Sequence, residues 1–205
     1  MTGKFAIGAG TLIAAMLAGT GYFILSARSA GDFGECATST VAGSTIGGPF
    51  ELTRHDGLRL TDKDVIDRTT LVYFGYTYCP DVCPVDTGKM AEVTEILDAR
   101  GITVKPVMIT IDPERDTPEV MQDYMSWLHP RMVGLTGSLD DVTVAAKAYK
   151  AYFRRAGNEE DYLMDHSAFT YLMAPDHGLL DFFRREVPVE QMADTVACFA
   201  EKLET

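Results

Sequence analysis

Basic residues are scarce in this sequence, which has 18 Lys and Arg against 30 Asp and Glu. Every acidic residue follows residue 28, whereas two of the basic residues are Lys4 and Arg28. The chain beyond residue 28 therefore carries 16 basic and 30 acidic residues, a formal charge of −14. A surface this acidic repels phosphate backbones and anionic headgroups. The composition argues against nucleic acid or anionic lipid as a main partner.

The chain also lacks internal repeats, low-complexity tracts and an Arg- and Ser-rich transit peptide. It does have an uncharged apolar stretch, residues 5–25, which is long enough to cross about 30 Å of hydrocarbon. Lys4 precedes this stretch, so the positive-inside rule predicts a cytoplasmic N-terminus with the remainder outside. A signal peptide cleaved near Ala27-Arg28-Ser29 is the alternative. The stretch exceeds the roughly 7 to 15 apolar residues of a signal peptide, which favours an uncleaved anchor.

Three segments follow from this pattern. Residues 1–28 are predicted to be the membrane anchor. Residues 29–48 are rich in Gly, Ser, Thr and Ala without periodicity and are predicted to be a linker. Residues 49–205 are the size of one domain with a substantial core.

Strands are predicted to alternate with helices within that domain. Phe50, Leu52, Leu58 and Leu60 alternate around the turn pair Asp56-Gly57, which predicts a hairpin. The apolar run 71–76 predicts a buried strand. Further strands are predicted at 102–111, 131–135, 167–173 and 179–183, and helices at 80–100, 118–128, 140–153 and 189–203. The alternation predicts an α/β domain with a central sheet covered on both faces.

Two of the four cysteines, Cys79 and Cys83, follow the predicted strand 71–76. Pro80 suits the first position of a helix, so both thiols are predicted to share a helix face one turn apart. The helix dipole should favour the thiolate form of Cys79. Two thiols at this spacing suit a structural disulfide, a redox couple or part of a metal site.

Three motifs occur in order along the domain. They are Cys79-x-x-x-Cys83 after an aromatic strand, the segment Ile111-Asp112-Pro113-Glu114-Arg115-Asp116-Thr117-Pro118, and Asp165-His166-Ser167 before a strand. Together they resemble the Sco/SenC family of copper chaperones, over residues 48–199 and with a similar N-terminal anchor. The resemblance implies a thioredoxin-like fold with a peroxiredoxin-type N-terminal hairpin. It also implies a role in assembling the dinuclear CuA site of cytochrome c oxidase, with Cys79, Cys83 and His166 as copper ligands.

The donor types agree with that implication. Two thiolates and an imidazole suit Cu(I) and can accept Cu(II), with one copper per chain. A structural zinc site would want a fourth protein ligand, and the spacing offers none. A three-ligand site leaves room for a partner's thiolate to take the ion, and it requires both cysteines to be reduced.

The resemblance also implies partners and a location. The copper-bearing subunit of cytochrome c oxidase would be the target, and another copper chaperone or a thioredoxin-like reductant could act upstream. The short N-terminus favours a bacterial plasma membrane with the domain in the periplasm over the mitochondrial inner membrane.

Other polar residues near these motifs have less specific interpretations. Asp81 is expected either to tune the charge of the cysteines or to cap the helix. Asp165 is expected either to orient a metal ligand or, because strand neighbours point to opposite faces, to serve a structural or partner-facing role. The pair Asp112-Pro113 is interpreted as turn chemistry. The remaining histidines are interpreted as structural or solvated: His55, His129 and His177.

The other two cysteines are Cys36, in the linker, and Cys198, off the apolar stripe of the last helix. One hypothesis is that they form a disulfide that ties the linker to that helix. The alternative is two separate thiols, with Cys36 linking two molecules.

Three functions remain in competition. The first is a copper-binding assembly factor that is not an enzyme. The second is a thiol-disulfide oxidoreductase that reduces target cysteines through Cys79 and Cys83, although thioredoxin relatives usually place two residues between their cysteines. The third is a thiol peroxidase, which ranks last because Tyr76 stands three residues before Cys79, where the peroxiredoxin pattern has Thr or Ser.

Overall fold

The computed structural model describes residues 33–39, 45–157 and 161–203. The predicted membrane anchor, residues 1–28, and residues 29–32 and 40–44 of the predicted linker lie outside these residues. None of the helices in the described part is long and apolar enough to cross a bilayer. Residues 33–36 belong to a separate compact unit and form a turn, closed by the N–H of Cys36 donating to the carbonyl of Phe33 at 3.0 Å.

The unit that begins at Ala37 contains the domain, and strands and helices alternate as predicted through its middle, from residue 70 to residue 148. In chain order they are β1 (Glu51–Arg54), β2 (Arg59–Thr61), α1 (Asp62–Val65), β3 (Thr70–Gly75), α2 (Val82–Ala99), β4 (Lys105–Thr110), α3 (Pro118–Leu128), β5 (Val133–Thr136), α4 (Leu139–Ala148), β6 (Phe153–Ala156), β7 (Leu163–His166), β8 (Thr170–Ala174), β9 (Gly178–Phe183) and α5 (Val189–Leu203).

Seven of these strands form one mixed sheet in the order β2-β1-β5-β4-β3-β8-β9. The β3–β4 and β4–β5 pairs are parallel, β8 pairs antiparallel with β3, and β9 pairs antiparallel with β8. All six residues of β3 are buried, so helices and loops cover both faces of the sheet there. This is the predicted thioredoxin-like α/β arrangement. The strands β6 and β7 pair only with each other and form a separate two-stranded sheet.

The helix that follows β3 is the main link between the sheet and the predicted site. Cys83, Asp86, Thr87 and Met90 are buried on α2 with the spacing of one helix face. This helix packs against β3, β4 and α5. The first turn of α2 therefore places Cys83 directly over the end of β3.

Several predicted features are confirmed. The turn at Asp56-Gly57 joins β1 to β2, and Gly57 has a positive φ of 88°, which glycine adopts without steric cost. Thr117 caps α3 through its hydroxyl, which accepts a hydrogen bond from the N–H of Val120, and Pro118 follows as the first helical residue.

The predicted start of α2 is wrong. The sequence favours Pro80 as the first helical residue, but α2 begins at Val82. Asp81 has φ −133° and ψ −76°, outside the helical region, and its side chain makes no capping hydrogen bond. The backbone turns here so that the N–H of Cys83 donates to the sulfur of Cys79 at 3.3 Å. The sulfur of Cys79 therefore accepts a hydrogen bond from the first turn of α2, and the capping role considered for Asp81 is not observed.

The predicted helix 140–153 is too long. Lys150 adopts a positive φ of 53°, and the N–H groups of Lys150 and Ala151 close the last turn onto the carbonyls of Lys147 and Ala146. This is a Schellman closure, in which glycine is the usual left-handed residue, so a lysine gave no signal in the sequence. Because α4 ends early, the residues that follow it form β6 and β7, a hairpin that the periodicity did not predict.

Candidate metal centre

The strand β3 ends at Gly75, next to the predicted site. A Cβ atom at Gly75 would lie 2.5 Å from Cε1 of Tyr73 and 3.1 Å from Sγ of Cys83. Real Cβ atoms do not approach other atoms so closely, so a side chain at this position would displace the ring or the sulfur. Glycine therefore allows the Cys83 sulfur to lie against the backbone at the end of the strand.

Cys79 lies in the loop between β3 and α2 and is a free thiol. Its sulfur accepts a hydrogen bond from the N–H of Cys83 at 3.3 Å. Burial raises the pKa of Cys79, but hydrogen bonds from the backbone N–H groups of Asp81 and Cys83 outweigh it, and the net pKa is lowered. This direction agrees with the predicted preference for thiolate, and its main source is the set of nearby N–H groups.

Cys83 differs from its partner in burial. It is also a free thiol, it is fully buried in the first turn of α2, and burial raises its pKa well above the ordinary range. The surroundings of Cys79 thus favour its thiolate, whereas Cys83 keeps its proton until a cation or another compensating group binds nearby.

The structure brings His166 to these cysteines from the end of β7. Nε2 of His166 lies 3.5 Å from Sγ of Cys83. Nδ1 lies 3.0 Å from the carbonyl oxygen of Ser167, an acceptor, so Nδ1 carries the proton and Nε2 presents its lone pair to the sulfur. Burial lowers the pKa of His166, which keeps the ring neutral near pH 7. The rings of Tyr73 and Tyr76 stand edge-on to the imidazole at 6.1 and 6.0 Å.

The donor atoms of Cys79, Cys83 and His166 all lie within 4.8 Å of one another. Within the described part of the chain, no other group of three Cys, His, Asp or Glu side chains converges in this way. Two donors bound to one first-row ion at about 2.0 to 2.3 Å lie roughly 3.5 to 4 Å apart, and the Cys83 to His166 separation of 3.5 Å is of this size. The three residues therefore fit a single soft metal ion without rearrangement of the fold.

The loop that follows β4 fixes the residues just before Cys79. Asp116 is fully buried, and its carboxylate accepts hydrogen bonds from the N–H of Thr77 at 3.1 Å and from the hydroxyls of Thr77 and Thr110 at 2.6 Å each. Burial nevertheless raises the pKa of Asp116. The position of Asp116 in the second motif gave no hint of this contact, because the end of β4 and the cysteine loop meet only in the folded sheet.

Arg115 links the loop after β4 to the hairpin β6–β7, which carries His166. Its guanidinium forms an ion pair with buried Asp112 and lies over the rings of Tyr162 and Tyr78, 3.7 and 4.6 Å from the centroids. Asp112 also accepts a hydrogen bond from the Tyr162 hydroxyl at 2.7 Å. The segment around Asp112-Pro113 does form a turn, as interpreted from the sequence, but its buried carboxylates also join the cysteine loop to β7.

Asp165 points away from the centre. It is 51% exposed and pairs with Arg154 at 2.7 Å on the outer face of the hairpin. Of the two roles considered for it, this contact matches the structural or partner-facing one. The other histidines contact the backbone of neighbouring turns and strands: His55 accepts from Gly134, His129 accepts from Arg131, and His177 lies beside the carbonyl of Pro175.

Cys36 and Cys198 are both disulfide-bonded, so neither contributes a free thiol. The pairing of Cys36 with Cys198 stays a prediction, which peptide mapping under non-reducing conditions would test.

Comparison with known proteins points to one family. The SCO1/SenC family model matches residues 38–201. The protein SenC of Rhodobacter capsulatus is 45% identical over 175 residues, which cover 84% of this chain and 79% of SenC. The human mitochondrial SCO1 homolog is 42% identical over 156 residues, which cover 74% of this chain and 52% of the human protein. This chain thus spans about half the length of the human relative.

A solved structure of a relative has the same fold. The crystal structure of Arabidopsis thaliana ScoI with copper bound is 38% identical in sequence, covers 78% of this chain and 98% of its own, and superposes with a TM-score of 0.71. The similarity includes the central sheet and supports the thioredoxin-like arrangement described above.

Proposed function

This chain belongs to the SCO1/SenC family, and we propose that it is a copper chaperone that helps to assemble the CuA site of cytochrome c oxidase. The observation that carries the proposal is the convergence of two thiol sulfurs and one imidazole nitrogen within 4.8 Å. Two sulfurs and a nitrogen form a soft donor set that suits Cu(I) and accepts Cu(II). The copper bound by the related Arabidopsis protein supports the same cargo here.

The unequal burial of the ligands suits loading. The N–H groups around Cys79 favour its thiolate, and the free Nε2 of His166 needs no deprotonation. Buried Cys83 releases its proton when the cation arrives, since the positive charge then compensates the new thiolate. Copper would therefore meet two prepared ligands and complete its binding at the third.

Three protein ligands also suit release. A partner's thiolate could bind the ion at a position that no protein ligand occupies, before the protein's own ligands leave. The partner we propose is the copper-bearing subunit of the oxidase, and a second copper chaperone or a thioredoxin-like reductant would act before that step. The chaperone itself turns over no substrate.

We place the domain outside a bacterial plasma membrane, held by residues 5–25. The uncharged stretch and the preceding Lys4 support this orientation. In such a compartment thiols are readily oxidised, so Cys79 and Cys83 must be kept reduced to hold copper. Selective labelling of Cys79 by a membrane-impermeant thiol reagent in whole cells with a permeable outer membrane would support this placement, and labelling only after lysis would contradict it.

The main test is metal binding by the full-length protein, reduced and loaded with copper under anaerobic conditions in detergent. We expect one copper per chain, with two sulfur and one nitrogen neighbours by X-ray absorption. His166→Ala should remove the nitrogen neighbour and the tight binding. Retention of copper by His166→Ala at the parent's affinity would refute the three-ligand centre.

A thiol-disulfide oxidoreductase is the second candidate function, favoured by the opposite pKa shifts of the two thiols. A thiolate at Cys79 would attack a target disulfide, and Cys83 would then displace the reduced target while the pair becomes a disulfide. Failure to retain copper, combined with rapid reduction of a disulfide-bonded peptide copied from the oxidase copper site, would favour this function over the first.

A further inference from the structure

A concave pocket lies at the end of the sheet opposite the candidate metal centre. The parallel strands β3, β4 and β5 begin there, and the six residues of β3 separate it from the cysteines by roughly 20 Å of strand. Its volume of about 380 Å³ is typical of small-molecule sites. Residues from four segments line it: 54–56, 68, 103–105 and 130–133. The pocket therefore shares no residue with the metal centre.

Basic side chains dominate this pocket. Arg54, Arg68, Lys105 and Arg131 line it, whereas Asp56, the ion-pair partner of Arg54, is the one acidic residue in the described lining. These are four of the 16 basic residues beyond residue 28, where the formal charge is −14. A concave surface lined mainly by one sign of charge concentrates ions of the opposite sign. The pocket is thus a local exception to the acidic composition of the domain.

Carboxylates outside the lining pair with these cations but leave hydrogen-bond donors unused. Asp67 pairs with Nε of Arg68 at 3.1 Å and with Nζ of Lys105 at 2.6 Å, and Asp98 pairs with Arg131. The two carboxylates are 41% and 42% exposed, and exposed ion pairs are weak. Both Nη atoms of Arg68 lack a hydrogen bond to any other described residue. A multivalent anion in the pocket would therefore compete well with Asp67 and Asp98.

His55 adds a fixed donor to the same pocket. Its backbone N–H donates to the carbonyl of Gly134 at 2.9 Å, and its Nδ1 accepts from the N–H of Gly134 at 3.0 Å. Because Nδ1 is an acceptor, the ring proton lies on Nε2, which has no acceptor among the described residues. The strand pairing of β1 with β5 thus holds the imidazole as a donor beside the cations.

We propose that this pocket binds a small multivalent oxyanion, namely a phosphorylated or polycarboxylate molecule. Guanidinium groups match the paired oxygens of phosphate and carboxylate, and an ammonium group adds a compact positive charge. A ligand with two or more negative charges contacts Arg68, Lys105 and Arg131 together and replaces their weaker contacts with exposed carboxylates. Binding needs no copper, because the pocket and the metal centre share no residue. The inference therefore goes beyond the proposed function and does not depend on it.

The test is calorimetric titration of the copper-free, reduced full-length protein with inorganic pyrophosphate in a nonionic detergent. We expect one pyrophosphate per chain, with an affinity that falls as the salt concentration rises. Arg68→Gln and Lys105→Gln each remove a charge from the pocket and should weaken binding by roughly tenfold or more. Arg59→Gln is the matched control and should bind like the parent, because Arg59 forms exposed pairs with Glu51 and Asp141 away from the pocket.

Removal of a competing carboxylate should have the opposite effect. Asp67→Asn releases Arg68 and Lys105 and should tighten pyrophosphate binding by up to about five-fold. Asp194→Asn is the control, because it breaks only an exposed pair with Arg100, and its affinity should equal that of the parent. Cations that serve only to hold the fold would not produce this gain.

Two results would overturn the proposal. One is the absence of binding at millimolar pyrophosphate by a parent protein whose circular dichroism shows it folded. The other is an effect of overall charge alone, seen as equal losses in Arg59→Gln and Arg68→Gln or equal gains in Asp67→Asn and Asp194→Asn.

Titration in phosphatidylcholine nanodiscs with and without phosphatidylglycerol separates the two sources of such an anion. Weaker pyrophosphate binding in the discs that contain phosphatidylglycerol would identify a lipid headgroup as the occupant. Unchanged binding would identify a soluble molecule.

Discussion

The two sides of the candidate centre are built differently. Cys79 and Cys83 lie at the end of β3, a fully buried strand with neighbours on both sides in the seven-stranded sheet. His166 lies at the end of β7, whose residues alternate between exposed and half-buried and which pairs only with β6. The core therefore fixes the cysteines, whereas a peripheral hairpin delivers the histidine.

A few specific contacts hold that hairpin to the core. The hydroxyl of Tyr162 donates to Asp112, and the N–H of Met164 donates to the hydroxyl of Tyr76 at 3.2 Å. Elements with few buried contacts open at lower free energy than core strands. We therefore expect copper to enter and leave by movement of the hairpin β6–β7 that carries His166, while Cys79 and Cys83 stay in place. The following changes test this contrast, beginning with the largest expected effect.

Replacing Cys79 or Cys83 by Ser should abolish both copper retention and disulfide cycling. Either change removes a sulfur on the rigid side, for which no described residue can substitute. We expect a loss of copper affinity well beyond the roughly 100-fold that follows from losing a hydrogen-bond partner of a ligand. Competition with a chelator of known affinity and titration with thiol reagents measure the two properties. Copper retention by either serine variant at near-parental strength would contradict the centre.

Replacing His166 by Ala should separate the two properties. The imidazole contributes a metal ligand but no sulfur, so tight copper binding should be lost while Cys79 and Cys83 still form and break their disulfide. The equilibrium with a glutathione redox buffer measures the second property. His177→Ala serves as the matched control, because His177 lies in the turn before β9. A His166→Ala protein that no longer cycles would show that the histidine is needed for the thiols as well.

Replacing Asp116 by Ala should destabilise the cysteine side. The change leaves the buried donors of Thr77 and Thr110 without their acceptor, which costs about 2 kcal/mol or more and lowers the melting temperature by roughly 4 to 8 °C. Asp123→Ala, at an exposed position of α3, is the control. Because burial raises the pKa of Asp116, the protonated form is favoured in the fold. Its contribution to the free energy of unfolding is largest in acid and declines as pH rises through that pKa, so the stability gap between variant and parent should narrow from acid toward neutral pH.

Replacing Tyr162 by Phe should loosen the histidine side alone. The loss of the hydrogen bond to Asp112 costs about 1 kcal/mol and should speed amide exchange in β6 and β7 several-fold, with no change in β3. Tyr152→Phe is the control because its ring is exposed. Hydrogen-exchange mass spectrometry of the copper-free protein measures the effect. Equal acceleration in β3 would mean that the two sides unfold as one unit.

Replacing Asp165 by Asn should have the smallest effect. The ion pair with Arg154 is exposed, and such pairs contribute about 0.2 to 1 kcal/mol. Copper affinity should therefore remain within a few-fold of the parent in the chelator competition. A loss of 10-fold or more would show that the carboxylate orients His166 despite its outward position in this structure.

The order of elements could be predicted because local signals were strong. The run 71–76 gave β3, the turn at Asp56-Gly57 gave the first hairpin, and Thr117-Pro118 gave the start of α3. The hairpin β6–β7 could not be predicted in the same way. It depends on a lysine in a left-handed conformation at position 150 and on tyrosine and arginine contacts with the loop after β4.

The sequence by itself determined the candidate residues of the centre, since the spacing of Cys79 and Cys83 indicates paired thiols and the resemblance to the Sco/SenC family implies His166 as the third ligand. Only the tertiary structure decided how these groups are supported. Asp116, Asp112 and Asp86 are buried carboxyl groups, and each needs hydrogen-bond donors from strands and loops distant in the chain. Local sequence patterns predict which residues are buried and which form turns. They do not predict which buried carboxyl group accepts from which donor, because those pairs form only when the sheet assembles.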